Sequence, residues 1–284
     1  MSLNQELYLV LHDDQSKSTI GSPQTSVVGG CHGAVSMEAL RSQRQMRAEA
    51  LDGPGKILID GLKQMRHTHN VVKDLPSGLY GITSDKFGHT HPESAQIFLK
   101  AGVKIIQYCA GTSAGTPRST RDIMDDAHAV KEMCSRYGAA LVVNGRIDVA
   151  LAIGADGVHL GHGDMPLTYA RSIFKGTIGQ SADTAEMARK AELEGADYIC
   201  ANSVFTPSAK SASKAIGIEG LGMIAAAVAT PVYAAGGINL STLPKLKATR
   251  HTYQRLAGFV SVSGVLSAND PIAAARNMMA LWGA

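Results

Sequence analysis

The sequence predicts an α/β protein whose main domain is a (β/α)₈ TIM barrel preceded by an N-terminal extension. From residue 78 onward, short apolar runs alternate with helical stretches, eight of each. The runs are apolar almost throughout, which is typical of parallel strands that helices cover on one face. The chain has 284 residues, and such a barrel takes about 200–250. Eight repeats favour closure into a barrel over an open sheet.

The predicted elements follow one another without interruption along this region. Helices end at a glycine shortly before the next strand in the segments Ala101-Gly102-Val103 and Gly154-Ala155-Asp156-Gly157. The predicted strands are 79–83, 104–109, 140–144, 157–161, 177–181, 198–204, 231–235 and 258–263. The predicted helices are 92–101, 120–137, 146–153, 166–174, 184–194, 219–228, 240–247 and 271–281.

Residues 1–77 differ from this regular pattern. Residues 13–35 are rich in small polar side chains, and residues 36–51 have the spacing of a helix that Ser36 can cap. We therefore expect two regions, a partly helical or disordered extension over 1–77 and the barrel over 78–284.

Composition and charge exclude several classes of protein. The net charge is only +3 and the basic residues are scattered, so nucleic-acid binding has no support. No apolar run is long enough for a membrane span. The four cysteines show no CxxC spacing and are expected to be reduced thiols in a cytoplasmic protein. A homo-oligomer is left open.

Polar side chains stand at or after the ends of the middle strands. In a TIM barrel these ends meet at one mouth, which carries the function. We expect five of them to converge there: Gln107, Asn144, Asp164, Ser181 and Lys210.

Two of these residues carry charge that could serve a phosphorylated ligand. Asp164 is a candidate Mg²⁺ ligand, because Mg²⁺ often uses one or two carboxylates plus substrate phosphates. The alternative is a helix N-cap before Met165-Pro166. Lys210 lies in a polar loop and could close over a diphosphate as a point charge, or it could simply be solvated.

Glycine-rich loops follow the last two strands. Gly236-Gly237-Ile238 comes after strand seven, and Ser263 and Gly264 belong to the segment that ends strand eight. Glycine lets backbone N–H groups approach a phosphate closely, and this pair of loops is a recurrent phosphate site in TIM barrels. The alternative is that these glycines only make tight turns.

The histidines and the mouth cysteine are weaker candidates. The pairs His67/His69 and His89/His91 have the spacing of metal ligands, but no acidic or cysteine partner matches them. We expect solvated loop histidines there. His159 is expected to be packed and hydrogen bonded, and Cys109 to be an inert thiol.

Together and in this order, these motifs resemble the thiamine phosphate synthase and thiazole tautomerase family, and the synthase more closely. The resemblance spans residues 78–284. It implies a TIM barrel that couples hydroxymethylpyrimidine diphosphate to thiazole phosphate with release of pyrophosphate. The segments that carry it are Leu79-Tyr80-Gly81-Ile82-Thr83, Ala101-Gly102-Val103 through Gln107, Asn144 through Leu151, Gly157-Val158-His159-Leu160-Gly161, Gly179-Gln180-Ser181, Ala196-Asp197-Tyr198, Val204 through Lys210, Gly236-Gly237-Ile238 and Val260-Ser261-Val262-Ser263.

The resemblance also implies roles for individual residues. It assigns Gln107, Asn144, Ser181 and Lys210 to the pyrimidine diphosphate, and Asp164 to Mg²⁺. It assigns the thiazole phosphate to the late loops, at Gly237, Ser263 and Gly264, and Gly236 joins them as a candidate from the glycine-rich loop.

The chain departs from the family pattern on the diphosphate side. The family has Arg and Lys where this chain has Cys109 and Gly111, and Asp where it has Gly145. Two family threonines correspond to Pro207 and Ala209, and the histidine that marks the tautomerase corresponds to Asp183. Arg118 and Arg121 could replace the lost cations.

Three functions therefore stay open at this stage. The first is an active synthase with a rebuilt diphosphate site. The second is a non-catalytic or regulatory barrel that binds a phosphorylated ligand. The third is an enzyme acting on another phosphorylated heterocycle.

Overall fold

The computed structural model describes residues 75–109, 118–205 and 215–283. Eight parallel strands form a closed barrel in chain order, with the last strand paired to the first. The predicted TIM barrel is thereby confirmed. The strands are β1 Gly78–Ile82, β2 Ile105–Tyr108, β3 Ala140–Asn144, β4 Gly157–Leu160, β5 Thr177–Ala182, β6 Tyr198–Ala201, β7 Val232–Ala234 and β8 Leu256–Val260.

Helices follow the strands and cover the outside of the barrel. Their ends carry the expected signals: Thr90 and Glu93 form a capping box on the first helix, and Gly102 ends that helix with φ +100°. The helices are α1 His91–Ala101, α2 Thr120–Tyr137, α3 Ile147–Ile153, α4 Leu167–Ile173, α5 Ala185–Leu193, α6 Gly217–Ala227, α7 Leu243–Thr249, α8 Ser263–Leu266 and α9 Pro271–Gly283.

Two apolar layers hold the barrel together. The larger lies between the strands and the helices. The smaller fills the barrel interior and contains three tyrosine rings, those of Tyr80, Tyr198 and Tyr233. A side chain at Gly179 would overlap the ring of Tyr198, so glycine on β5 makes room for the tyrosine of β6. The interior is therefore packed around tyrosine hydroxyls, which need polar partners when buried.

Strand eight was predicted over 258–263, and this is wrong at its end. The strand ends at Val260, and Ser263 begins the separate short helix α8. The turn forms because the amides of Val265 and Leu266 donate to the carbonyl of Val262. Ser263 and Gly264 therefore lie at a helix start instead of a strand end.

The start of the seventh helix and the end of the sixth strand also differ from the prediction. Helix α7 begins at Leu243 instead of residue 240, because Asn239 Oδ1 accepts from the amides of Ser241 and Thr242 and holds a turn. Strand β6 ends at Ala201, before Ser203 at φ +54°.

The extension expected over residues 1–77 lies outside the described residues up to residue 74. Its predicted helix and loop therefore stay predictions. Within the three described ranges, no helix has the length and apolar character that a membrane crossing requires.

Candidate active site at the barrel mouth

The carboxyl ends of β2 to β5 carry a wall of polar side chains. Gln107 lies on β2, Asn144 ends β3, His159 lies on β4 and Ser181 lies on β5. The Gln107 amide Nε2 donates to Asn144 Oδ1 at 3.0 Å. Asn144 pairs in register with His159 on the next strand. The structure thus brings the predicted residues of these strands to one end of the barrel.

Buried hydroxyl groups connect this wall across the barrel interior. Tyr80 of β1 donates to Gln107 Oε1 at 2.9 Å, and its hydroxyl lies 2.8 Å from that of Tyr198 on β6. The Tyr198 hydroxyl lies 3.2 Å from His159 Nδ1. His159 Nε2 lies 3.0 Å from Ser181 Oγ. Gln107 and Ser181 are therefore linked through three side chains.

The sequence analysis missed Tyr80 and Tyr198 as site residues. Both lie in segments that carry the family resemblance, and no role was predicted for either of them. A usable signal was present, because a tyrosine on an inward-facing strand position needs a partner for its hydroxyl. The expectation that His159 is packed and hydrogen bonded fits its 6% exposure and its two hydroxyl partners.

Burial keeps this network uncharged near neutral pH. Desolvation lowers the pKa of His159 to about 4, and the carboxylate of Asp164 offsets this in part. Desolvation, followed by the charge of Tyr198, raises the pKa of Tyr80 well above its usual value. The interior side chains are therefore neutral, and they act on the mouth through hydrogen bonds and not through charge.

Asp164 is the half-buried carboxylate of this wall. It does not cap the following helix: α4 has Pro166 as its N-cap and no side-chain cap. Its Oδ2 instead accepts from the Gly161 amide at 2.7 Å. A Cβ placed on Gly145 would come within 2.7 Å of Asp164 Oδ1, so the carboxylate leans over the position of the missing family aspartate. The helix-cap alternative for Asp164 is wrong.

The possible cation replacement by Arg118 gains no support from its contacts. Its guanidinium donates to Asp126 Oδ2 at 2.6 Å and to the Tyr108 hydroxyl at 3.2 Å, so it is engaged at the start of α2. Arg121 is exposed in the first turn of the same helix. Lys210 and Gly111 lie outside the described residues, so the role of Lys210 stays a prediction.

Another arginine, which the sequence analysis overlooked, stands beside the wall. Arg146 follows Asn144 by two residues and binds Asp148 through two hydrogen bonds of 2.8 and 2.6 Å. The hydrogen bond from Arg146 is the main reason that the pKa of Asp148 is lowered. One loop further, His162 Nε2 lies 3.0 Å from Asp183 Oδ2.

The loops after β7 and β8 lie side by side. Ser261 Oγ donates to the Ile238 carbonyl at 2.8 Å, and a Cβ on Gly264 would come within 2.7 Å of that same oxygen. Within the described ranges, no acceptor receives the amides of Gly236, Gly237, Ser263 and Gly264. These four backbone donors therefore have no acceptor among residues 75–109, 118–205 and 215–283.

The two glycines after β7 are also required by packing. Gly236 has φ +98°, and a Cβ there would come within 2.7 Å of Ser203 Cα. Gly237 has φ +64°, and its Cβ would come within 2.7 Å of the Phe205 carbonyl oxygen. Close packing and positive φ therefore both call for glycine at these positions, which fits the tight-turn alternative, and the phosphate role stays a prediction.

The remaining candidates, His91 and Cys109, have Thr83 as their hydrogen-bond partner. His91 begins α1, is buried, and places Nδ1 2.9 Å from Thr83 Oγ1, so the expectation of a solvated loop histidine is wrong for it. Cys109 is half-buried and its amide donates to the same hydroxyl. His67 and His69 lie outside the described residues. No group of three His, Cys, Asp or Glu side chains suited to a metal occurs in the described ranges.

Comparison with known proteins identifies the family. A family model described as thiamine monophosphate synthase matches residues 79–259. The chain is 38% identical over 210 residues to the thiamine-phosphate synthase of Caldivirga maquilingensis, covering 73% of this chain and 98% of that protein. It is 41% identical over 204 residues to that of Archaeoglobus fulgidus, covering 72% and 92%.

A solved structure agrees with these relatives. The thiamine phosphate pyrophosphorylase from Pyrococcus furiosus aligns with a TM-score of 0.64 at 33% identity, covering 72% of this chain and 95% of that one. The chain belongs to the thiamine monophosphate synthase family.

Proposed function

We propose that this chain is a thiamine phosphate synthase. It would join hydroxymethylpyrimidine diphosphate to thiazole phosphate and release pyrophosphate. The observation that supports this most directly is the arrangement at the mouth. The side chains matched to the pyrimidine diphosphate stand on β2 to β5, and after β7 and β8 stand four amides that have no acceptor among the described residues. The relatives at 38–41% identity carry the name of this activity.

The reaction needs positioning more than it needs an acid or a base. The carbon–oxygen bond between the pyrimidine methylene and the diphosphate breaks, and its electron pair leaves with pyrophosphate. The thiazole nitrogen then donates its lone pair to the methylene carbon. Both substrates must be held in contact and water must be kept out, which is work for a fixed set of hydrogen bonds.

Under this proposal the two substrates take different parts of the mouth. Gln107, Asn144 and Ser181 orient the pyrimidine, and Lys210 closes over the diphosphate. The amides of Gly236, Gly237, Ser263 and Gly264 hold the thiazole phosphate. Backbone amides beside a short helix after β8 are a known way for TIM barrels to bind phosphate.

The residues present fit Mg²⁺ that is bound jointly with the substrate. Asp164 supplies one half-buried carboxylate with an oxygen facing the space above Gly145. One or two carboxylates plus substrate phosphates are a common set of Mg²⁺ ligands. When bound, the ion would offset the negative charge of the departing diphosphate. Asp164 would hold it, and Gly161 would orient Asp164.

The direct test is turnover. The full chain is incubated with hydroxymethylpyrimidine diphosphate, thiazole phosphate and Mg²⁺, and thiamine phosphate is quantified as its fluorescent oxidation product. We expect product that depends on enzyme, on both substrates and on Mg²⁺. Production no faster than in a mixture without enzyme, under conditions where a relative is active, would reject the proposal.

One observation favours a second candidate, a barrel that binds a phosphorylated ligand without turnover. Arg118 is engaged with Asp126, so it does not supply the charge that Cys109 and Gly111 lack. Calorimetry distinguishes the two functions. Binding of thiazole phosphate or thiamine phosphate without any product formation supports the binder, and turnover excludes it.

The Gly145→Asp variant tests whether the missing carboxylate matters. Its carboxylate would stand beside Asp164, and aspartate tolerates positive φ better than most residues. We expect the Mg²⁺ concentration for half-maximal activity to fall, because a second carboxylate raises affinity for the ion. The matched control is Gly145→Asn, which has the same shape and no charge. Equal Mg²⁺ dependence in the two variants would contradict a metal site at Asp164.

A further inference from the structure

Six side chains from six consecutive strands form one connected path of hydrogen bonds, which we call the polar chain. It begins at the wall, crosses the barrel interior and returns to the wall. Its links measure between 2.8 and 3.2 Å. In order, its members are Asn144, Gln107, Tyr80, Tyr198, His159 and Ser181.

Counting protons assigns a direction to every link. Gln107 Oε1 can only accept, so the single hydroxyl proton of Tyr80 points to it. The contact between the two tyrosines therefore uses the proton of Tyr198. With that proton committed, the Tyr198 oxygen must accept from His159 Nδ1.

The direction continues to the end of the polar chain. His159 is neutral at pH 7 because burial lowers its pKa to about 4. A neutral imidazole that carries its proton on Nδ1 accepts at Nε2. Ser181 must then donate its hydroxyl proton to His159, and its oxygen keeps only lone pairs for the mouth.

The other end of the polar chain, at Asn144, offers donors to the mouth instead of an acceptor. Gln107 Nε2 donates to Asn144 Oδ1, which occupies the acceptor of that amide. The Nδ2 group of Asn144 is left to donate. One end of the polar chain thus offers N–H donors, and the other end offers an oxygen acceptor.

We propose that Tyr80, Tyr198 and His159 are positioning residues that set the hydrogen-bond polarity of the mouth. Through them, the orientation of the Gln107 amide on β2 decides whether Ser181 on β5 accepts or donates. The site then selects a heteroaromatic ligand with an acceptor facing Asn144 and an N–H or O–H donor facing Ser181. A ligand with the reverse pattern would set a donor against the Asn144 N–H group and an acceptor against the Ser181 oxygen, which a site built on hydrogen bonds rejects strongly.

The tautomer of His159 reports this direction without any ligand. Turning the amides of both Gln107 and Asn144 would reverse every link and place the proton on Nε2. Long-range ¹H–¹⁵N correlation spectra of the full chain, labelled at its ten histidines, distinguish the two tautomers. His159 is recognised as the ring that stays neutral well below pH 6. We expect the Nδ1–H tautomer, and the Nε2–H tautomer would overturn the proposed direction.

The Tyr80→Phe variant tests whether Tyr80 on β1 controls the direction of the hydrogen bond between His159 and Ser181. It removes the acceptor of the Tyr198 proton, which would be left buried and unpaired unless it turned to His159 Nδ1. That turn moves the histidine proton to Nε2 and makes Ser181 an acceptor toward the interior, with its own proton facing the mouth. We expect the ratio of the two tautomers to shift toward Nε2–H by about tenfold or more, because an unpaired buried donor is costly.

Tyr233→Phe is the matched control. Tyr233 belongs to the same aromatic cluster, with its ring 5.4 Å from that of Tyr80. Its hydroxyl donates to the Pro76 carbonyl and not to the polar chain. We expect this variant to keep the wild-type tautomer. If Tyr80→Phe keeps it as well, the control through Tyr80 is disproved.

A second measurement uses enzyme activity. It rests on the proposed function and is made separately from the tautomer measurement. In the synthase assay, Tyr80→Phe should raise the KM for hydroxymethylpyrimidine diphosphate by about tenfold with a smaller change in kcat. Tyr233→Phe should change neither value by more than about twofold. Absence of turnover in the wild type would reject the synthase function and leave the tautomer result standing. A normal KM in a tautomer-shifted Tyr80→Phe would reject the selection of ligands.

Discussion

The two parts of the barrel mouth are built from different chemical groups. The part formed by β2 to β5 uses side chains, with Gln107, Asn144 and Ser181 held by the polar chain. The part formed by β7 and β8 uses backbone amides, with glycines packed directly against neighbouring backbone. A side-chain wall can be altered residue by residue, as the departures at Cys109 and Gly145 illustrate. A backbone site tolerates change less, because any added Cβ meets fixed atoms.

Single substitutions distinguish the side-chain part of the mouth from the backbone part. Among them, Asp164→Asn should have the largest effect on activity, because it removes the Asp164 charge. Asp164→Asn keeps an oxygen that can accept from Gly161 but removes the carboxylate charge. We expect kcat to fall at least about a hundredfold, as for other groups that stabilise developing charge. The control is Asp183→Asn, an exposed carboxylate paired with His162 one loop away. Its activity should stay within about threefold of the wild type, and equal losses would show that Asp164 has no special position.

Gly236→Ala tests the backbone part. The substitution combines an unfavourable φ of +98° with a Cβ placed within 2.7 Å of Ser203 Cα. We expect the free energy of unfolding to fall by about 2–3 kcal/mol, because backbone cannot move aside as a side chain can. Urea unfolding measures this change. Gly163→Ala in the β4–α4 loop is the control, since a Cβ there has nothing within 4 Å, and it should leave stability nearly unchanged.

The buried histidine of the side-chain part should make stability depend on pH. The pKa of His159 is about 4 in the folded chain and 6.5 in the reference state, so the unfolded chain binds more protons between these values. Stability is therefore complete above pH 6.5 and is lost as pH falls toward 4. We expect a loss of about 2 kcal/mol between pH 7.5 and pH 5 from this group.

Urea unfolding across that pH range gives the measurement. His162→Asn serves as the control, because His162 is exposed and its removal should leave the slope intact. Glu93 and Asp148 also have lowered pKa values, but these change the stability mainly at lower pH than this range. A flat profile between pH 7.5 and pH 5 would show that His159 is not buried in its neutral form.

Arg118→Ala should produce the smallest effect. The side chain binds Asp126 and the Tyr108 hydroxyl, away from the polar chain. We expect the KM for hydroxymethylpyrimidine diphosphate to stay within about twofold of the wild type, and the free energy of unfolding to fall by about 1 kcal/mol. Arg118→Lys, which keeps the charge, is the control for the ion pair. A KM rise of tenfold or more in the alanine variant would return Arg118 to the diphosphate site.

The order of elements and the end of the barrel that carries the polar residues could be predicted from the sequence. Helical and strand periodicities differ, and glycines mark the ends of three helices, at Gly102, Gly138 and Gly154. That Gln107, Asn144 and Ser181 lie at one end of the barrel could be predicted because parallel strands bring their carboxyl ends together. Boundaries failed where a local turn intervened, as at Asn239 before α7 and at Val262 before α8.

By itself, then, the sequence determined the alternation of strands and helices, the placement of glycines and the polar residues at strand ends, since each depends on neighbours along the chain. Only the tertiary structure decided that Tyr80 meets Tyr198, 118 residues away, and that Arg118 turns to Asp126. It also decided that the glycines after β7 pack on the loop after β6. These contacts join strands and loops that barrel closure brings together, and no local pattern records which side chains will share that space.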